Sequence, residues 1–454
     1  MNPGTMAIKA VKIRLLKRLL QGGTDQQVIN AIEKIHSADI SLIFSELNEN
    51  EMRRLVDCLF QVKKAGKVLS EIPEYFLPEI LENVEIEKLG EILSRLGSDD
   101  AVYLLGKIPE ERWPTILEKV ALEKRVMIEK LLLYPAGSAG SVMSSDYFSV
   151  SLDCTVEDAI QKLREYADKE SILYVYVLDE KRLVGVLPIR SLVLFSPKKP
   201  VRELMTTNIV TIQANVDQEK AAQLVGQYNL LAIPVVNENQ EMLGVITVDD
   251  VIEIFQEEAT EDIYHIAGLS EEDRAFTPVA TKVRRRLPWM LINLCTAFLA
   301  SFVVSRFEGT ISRLALLAAY MPIVAGMGGN GGTQSLVVIT RSIALGELKF
   351  SKAYRAVFKE IGNGLIVGIV SGAATGMIMY LVNDSVYLGL IIFLAMVANL
   401  VMAGLAGSLV PLVLKSLRLD PAVGSGVIVT TVTDVTGFFV FLGLAELFLE
   451  KLVG

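Results

Sequence analysis

Asp434 is an acid inside a long apolar run, Gly426 to Leu449. A carboxylate near the middle of a bilayer is costly, about 3 kcal/mol on insertion scales, and is retained where it lines a polar path or finds a partner. No lysine or arginine lies within that run, so a bound or passing cation is the partner its chemistry suggests. On a helix, Thr430, Thr431, Asp434 and Gly437 share a face of hydroxyls, one acid and an absent side chain. A second group lies upstream, in Met321 to Gln334, where five of the seven residues from Gly326 to Gly332 are glycine. So loose a stretch breaks a helix in water, and irregular backbone survives in lipid only where protein buries it or it lines a wet cavity. On that reading the freed carbonyls join Asn330, Thr333 and Gln334 as oxygen ligands. Close packing through small residues competes with it, but explains the glycine spacing better than the polar cluster beside it.

These donors are hard oxygens, with no thiolate or imidazole among them, which argues for an alkaline-earth ion over zinc or copper. One carboxylate with carbonyls suits Mg2+ that keeps much of its water, and two copies of Asp434 would meet in a dimer. The chemistry by itself leaves Ca2+, Mn2+ and Na+ open. A third group is the strip Asp249, Asp250, Glu253, Glu257, Glu258, Glu261 and Asp262. Asp250, Glu253, Glu257 and Glu261 fall on one helical face, where like charges repel. Such a strip is either a solvated face or a surface that divalent cations bridge.

The elements around these groups divide at about residue 286. The 454 residues are 51% hydrophobic, but the charged residues crowd the first part and the rest is apolar in runs close to the ~20 residues that span a bilayer. Five spans are expected, at 287–305, 314–340, 362–382, 387–414 and 426–449. Lys282, Arg284, Arg285 and Arg286 precede the first, Arg341, Lys349, Lys352, Arg355 and Lys359 follow the second, and Lys415 and Arg418 follow the fourth. That bias places the amino-terminal part in the cytoplasm and the carboxyl terminus outside, in a multi-pass protein of the cell membrane. The net charge of −9 argues against nucleic acid as a partner. Cys58, Cys154 and Cys295 form no CxxC, and His36 and His265 stand isolated, so neither a disulfide framework nor a zinc site is expected. No nucleophile–base set or P-loop points to an enzyme.

Residues 1–25 form a basic extension, read as a solvated helix or as an amphipathic one on anionic lipid. Residues 26–135 are helical and repeat weakly: Ile72-Pro73-Glu74 recurs as Ile108-Pro109-Glu110, and Leu81-Glu82 as Leu117-Glu118, at a spacing of 36. Stacked helical hairpins in a small superhelix follow from such a period. Residues 136–258 hold a different repeat, about 141–202 and 203–258. Each copy opens on Met143-Ser144-Ser145-Asp146 or Met205-Thr206-Thr207-Asn208. Strands are expected at 148–151, 173–178 and 183–187 and at 209–212, 232–236 and 243–247, with helices at 156–166 and 218–228. Residues 259–286 read as one charged connecting helix leading into the five-helix domain 287–454.

The Val184-Gly185-Val186-Leu187 and Leu243-Gly244-Val245-Ile246-Thr247 strings resemble a tandem cystathionine-β-synthase (CBS) pair. That likeness implies an α/β body that takes adenine nucleotides, ATP included, or ions. The order of helical domain, CBS pair, connecting helix and five spans is similar to the MgtE family of magnesium transporters. Gly326-Met327-Gly328-Gly329-Asn330-Gly331-Gly332-Thr333-Gln334 and Asp420-Pro421-Ala422 with Thr433-Asp434-Val435 carry the resemblance. It implies a multidomain fold: an α-helical superhelical N domain, an α/β CBS pair and an all-α polytopic membrane domain. It implies a homodimeric Mg2+ path with Asp434 as the pore acid, lined by Gly326, Gly329, Asn330, Thr333 and Thr430. Some members carry Asn where Thr333 stands. Regulatory cytosolic Mg2+ is implied at Asp99, Asp100, Asp250, Glu253, Glu258, Glu261, Asp262 and Asp420. With Mg2+ plentiful, the ions would neutralise these acids and the connecting helix would plug the path. The other readings are a membrane-anchored CBS sensor and a transporter of Mn2+, Co2+ or Ca2+.

Overall fold

The computed structural model describes residues 3–453, apart from 74–75, 167–171, 271–272, 274, 276 and 349–351. Glu74 of the repeat and Lys349 of the basic loop lie outside the described residues. The chain forms two compact units, Met1–Phe255 and Gln256–Gly454.

The first unit opens with helix Pro3–Gly22. This is not a free extension: Leu16 and Leu20 are buried in the core of the helical domain. Arg54 donates to Leu20 O (2.7 Å) and Gly23 O and pairs with Asp25, so its guanidinium caps the carbonyls that a helix end leaves open. The 36-residue period reappears in the helices themselves. Leu77–Glu82 and Trp113–Leu117 occupy equivalent places, as do Ile86–Arg95 and Leu122–Leu131. Pro78 and Pro114 stand in the first turns of the first pair, where the missing N–H costs nothing. Capping boxes at Thr24/Gln27 and Asn48/Glu51 start two further helices.

The CBS region has two three-stranded sheets, β1 (Ser149–Ser151), β2 (Tyr174–Asp179) and β3 (Arg182–Pro188), then β4 (Ile212–Gln213), β5 (Ala232–Val236) and β6 (Met242–Thr247). In each, a parallel first pair is followed by an antiparallel hairpin. β4 begins three residues later than the 209–212 pattern suggests and is only two residues long. The opening methionines explain the repeat. Met205 packs on Gly185 of β3, and Met143 on Gly244 of β6, each in space a Cβ would fill. Each half thus receives the opening segment of the other, fixed by Ser144–Val245 and Thr206–Val186 backbone pairs.

Helix α1 (Val248–Ile266) carries the acidic strip and stops before Gly268, whose φ of +68° ends it. The expected single helix over 259–286 is therefore two: the basic residues belong to α2 (Val279–Ser305), which starts after Pro278. Next come α3 (Leu316–Ala344), α4 (Ala353–Asn383), α5 (Val386–Ser416) and α6 (Ser425–Leu447). Four of these five, α2, α4, α5 and α6, are long and apolar enough to cross a membrane. α3 has 29 residues, but its glycines, Asn330, Thr333 and Gln334 dilute the apolar ones. α5 is the central element, with 56% of its apolar window buried against 6% for α2. Gly364, Gly368, Gly372 and Gly376, four residues apart on α4, let its backbone approach α5 at Leu400, Val397, Phe393 and Gly389.

Candidate cation pathway and acidic clusters

The glycine-rich segment does not break its helix. α3 runs unbroken through Gly326–Gly332, so its carbonyls are engaged along the helix rather than freed as ligands. Tertiary packing overrides the poor helix propensity of glycine here. Gly328 lies against Asn399 of α5, Gly331 against Leu400, and Gly332 against Val429 and Thr433 of α6. Gly407 of α5 in turn meets Gly332 O. The small-residue reading accounts for these positions. It does not account for Gly326 and Gly329, where an added Cβ meets nothing within 4 Å.

α3 and α6 therefore each have two faces. Gly328, Gly332, Val429, Thr433 and Gly437 are buried between helices. Gly326, Asn330, Thr333 and Thr430 are exposed within the single chain, and Asp434 is half-buried. Gly437 thus leaves the stripe assigned to it by helical spacing and belongs to the packed face, against Asn399. Thr333 donates its hydroxyl hydrogen to Gly329 O (2.9 Å), and Thr430 to Gly426 O (2.9 Å). With the hydrogens held by their own helices, both oxygens present lone pairs outward. No charged side chain of the described residues stands close enough to Asp434 to act on it. The resulting set is one carboxylate, one amide and two hydroxyls on neighbouring helices, all hard oxygen donors.

Asn399, a polar residue within the apolar helix α5, is the point where three helices meet. It is fully buried, and its Nδ2 donates to Val324 O at 2.8 Å. Its Oδ1 has no hydrogen-bond partner among the described residues.

In the first unit, Asp99 and Asp100 occupy the first turn of Ser98–Gly106, where the helix dipole favours acids. Ser98 is buried and accepts hydrogen bonds from Ser145 N and Ser145 Oγ, both 2.8 Å, tying this turn to the start of the CBS pair. Asp250 accepts from Thr247 N (2.9 Å) and Thr247 Oγ1 (2.6 Å), so it also caps α1. Burial pushes the Asp250 carboxyl up to about 6, against the Thr247 hydrogen bonds, and the Asp99 charge adds to the rise. Burial raises Asp99 as well, partly offset by backbone N–H groups, Ser144 and Lys124. Two crowded, half-buried carboxylates with raised pKa values are a place where a cation would be welcome.

In the second unit, α1 brings Glu261, Asp262 and His265 to Asp420 in the loop before α6. His265 Nδ1 lies 2.7 Å from Asp420 Oδ2 and 3.6 Å from Glu261 Oε1. Asp420 Oδ1 accepts from Ala422 N at 2.8 Å. Burial raises the Asp262 carboxyl and Asp420 adds to it, while Arg341 and His265 lower it. His265 is thus not isolated, and sequence spacing could not show this because its partner is 155 residues away. His36 behaves as expected of a structural residue, accepting from Ala38 N at a helix start. Glu253 lies on the first-unit part of α1 and Glu258 on the second-unit part, and neither joins the Glu261–His265–Asp420 group.

Residues 321–444 match the MgtE divalent cation transporter family, residues 35–137 the MgtE intracellular N domain, and 139–197 and 201–257 two CBS domains. The chain is 33% identical over 436 residues to the magnesium transporter MgtE of Bacillus subtilis, covering 96% of each. To the magnesium transporter MgtE of Thermus thermophilus it is 32% identical, over 96% of this chain and 98% of that one. Among solved structures, the soluble part of a magnesium transporter matches with a TM-score of 0.52 at 26% identity, over 55% of this chain and 99% of that one. The cytosolic domain of the Mg2+ channel MgtE in complex with ATP matches with a TM-score of 0.50 at 32% identity, over 53% of this chain and 98% of that one. This chain belongs to the MgtE family of divalent cation transporters.

Proposed function

We propose that two copies of this chain form a gated path that admits Mg2+ into the cell. The observation that carries the reading is the unburied polar side of each of the two neighbouring helices α3 and α6. Asp434, Thr430, Asn330 and Thr333 offer hard oxygens as ligands, Asp434 has no cationic partner among the described residues, and Gly326 and Gly329 leave room on α3. Mg2+ gives up water reluctantly and is held by one or two carboxylates with several waters retained. A two-fold axis along this face supplies a second Asp434, and hydroxyl and amide oxygens then bind the remaining water shell. The magnesium transporters similar over nearly the whole chain support Mg2+ as the ion carried.

α3 is the fifth span in this reading: its polar face is turned to the path rather than to lipid, which is why its average is less apolar. The first unit then lies in the cytosol, and the carboxyl terminus outside, by the distribution of Lys and Arg between the loops. Cytosolic Mg2+ closes the path by neutralising Asp99, Asp100, Asp250 and Glu253 in the first unit and Glu258, Glu261, Asp262 and Asp420 in the second. When Mg2+ falls, repulsion among the acids favours the open form. ATP is the nucleotide proposed for the CBS pair, on the similarity to the ATP-bound cytosolic domain. The test is Mg2+ flux into proteoliposomes with Mn2+, Co2+ or Ca2+ in competition. Preference for Mg2+, with inhibition from the cytosolic side, is the expected result. A liposome that takes up no divalent ion overturns the reading.

A further inference from the structure

The Glu261–His265–Asp420 group differs from the acidic clusters described above in offering an imidazole nitrogen. Its three donor atoms come from two separate elements and lie within 4.8 Å of one another. Imidazole is a borderline nitrogen ligand that suits zinc and its first-row neighbours, whereas carboxylates and water suit Mg2+. We propose that Glu261, His265 and Asp420 form a mixed nitrogen–oxygen site for a first-row transition-metal dication, so that this chain responds to such an ion as well as to Mg2+. The proposal rests on the reading that acids on α1 control the pathway, and it adds a second class of effector to them.

The geometry needs little change. Zinc binds His nitrogen and carboxylate oxygen at about 2.0–2.2 Å in a tetrahedron, which sets donors roughly 3.4 Å apart. The 3.6 Å separation of His265 and Glu261 is already near that value. The 2.7 Å contact of His265 with Asp420 has to open by about 0.7 Å, and Asp420 is exposed enough to swing that far. Asp420 is oriented for the purpose, because Ala422 N holds its other oxygen. The metal takes the lone pair of the neutral Nδ1, so any proton on that nitrogen has to leave on binding. A fourth position is left for water. Asp262 supplies further negative charge close by, and Arg341 opposes it.

The position links the site to the path. Ile266 O, one residue after His265, lies against Gly426 at the start of α6, where a Cβ would come within 2.6 Å. One turn further along α6 stands Thr430, and another turn on, Asp434. A metal that joins His265 to Asp420 therefore clamps the end of α1 onto the base of the helix that carries the pore acid.

The test uses the full chain in lipid nanodiscs, with Mn2+ as the spectroscopic probe. There are only two histidines in the sequence, so nitrogen coupling in the electron spin echo of bound Mn2+ has few possible sources. Coupling that changes from 14N to 15N on 15N-histidine labelling, and that disappears in His265→Gln but persists in His36→Gln, is the expected result. Labelling needs no substitution, so a variant that fails to fold does not decide the matter. Zn2+ should inhibit Mg2+ flux, with the half-inhibiting concentration raised about tenfold or more in His265→Gln. Absence of nitrogen coupling in the unsubstituted chain, or Zn2+ inhibition unchanged by His265→Gln, overturns the proposal. Inhibition of the unsubstituted chain by internal Mg2+, measured alongside, separates the two readings: its absence overturns gating by Mg2+, while nitrogen coupling from His265 still establishes the site.

Discussion

Asn399 of α5 donates its side-chain N–H to Val324 O of α3 at 2.8 Å, in a gap that exists because Gly328 and Gly437 have no side chains. A Cβ at Gly437 would come within 2.6 Å of the Asn399 amide, and one at Gly328 would come closer still. The amide is fully buried, so the group cannot move toward solvent to make room. Gly328→Ala and Gly437→Ala should therefore each destabilise the helix packing by about 1–3 kcal/mol, through overpacking and loss of the Val324 hydrogen bond. Gly362→Ala, where nothing lies within 4 Å, should be neutral or slightly stabilising. Thermal unfolding of the purified protein in detergent checks all three, and equal behaviour of Gly362→Ala and Gly437→Ala would be contrary to this packing.

Asp250 connects pH to stability. Its carboxyl is raised to about 6 in the folded chain, mainly by burial and further by Asp99. A carboxylate with a raised folded pKa binds protons more tightly when folded, so stability falls as pH rises from about 4 to 6. The predicted course in a chelator is a melting temperature that drops across that window, with Mg2+ restoring it because the ion binds the folded, ionised pair. Asp250→Asn keeps an oxygen for the Thr247 cap but removes the charge. It should flatten the pH profile and weaken the effect of Mg2+ on melting. A variant profile that overlays that of the unsubstituted chain would rule out Asp250 as the source.

The acids of α1 provide a third prediction. Glu258→Gln with Asp262→Asn removes two charges from α1 and substitutes no residue of α3 or α6. The cytosolic Mg2+ needed to halve the flux should rise about tenfold, within the usual range of allosteric coupling. Maximal flux at low cytosolic Mg2+ should be unchanged within about twofold. Flux titrated against internal Mg2+ in proteoliposomes measures both, and an unshifted inhibition curve would remove these acids from the sensor.

The parts that could be read from the sequence are those set by local pattern. The β2–β3 and β5–β6 hairpins follow short, mostly apolar runs, and the 36-residue period returns as equivalent helices at Leu77 and Trp113. Asp434 stood out because one charge in an apolar run is expensive wherever the helix turns. The errors come from effects that depend on distant partners. Gly326–Gly332 suggests a broken helix by propensity, yet Asn399, Leu400, Val429 and Thr433 hold it helical. Gly437 shares a helical face with Asp434 by spacing, but the buried amide of Asn399 claims it. His265 is isolated along the chain and meets Asp420 only through folding. The basic amino-terminal helix reads as solvated until Arg54 and the buried Leu16 and Leu20 fasten it down.

The central claim is that Asp434 holds the ion on its way through. Mg2+ uptake into proteoliposomes by the unsubstituted chain and by Asp434→Asn, each first shown to be folded and of the same oligomeric size, tests it most directly. Asn keeps the shape and one oxygen but loses the charge that binds hydrated Mg2+. The account predicts that uptake in the variant falls by about a hundredfold or more, equivalent to about 2.8 kcal/mol or more. Uptake within about twofold of the unsubstituted chain, less than about 0.5 kcal/mol, would contradict it.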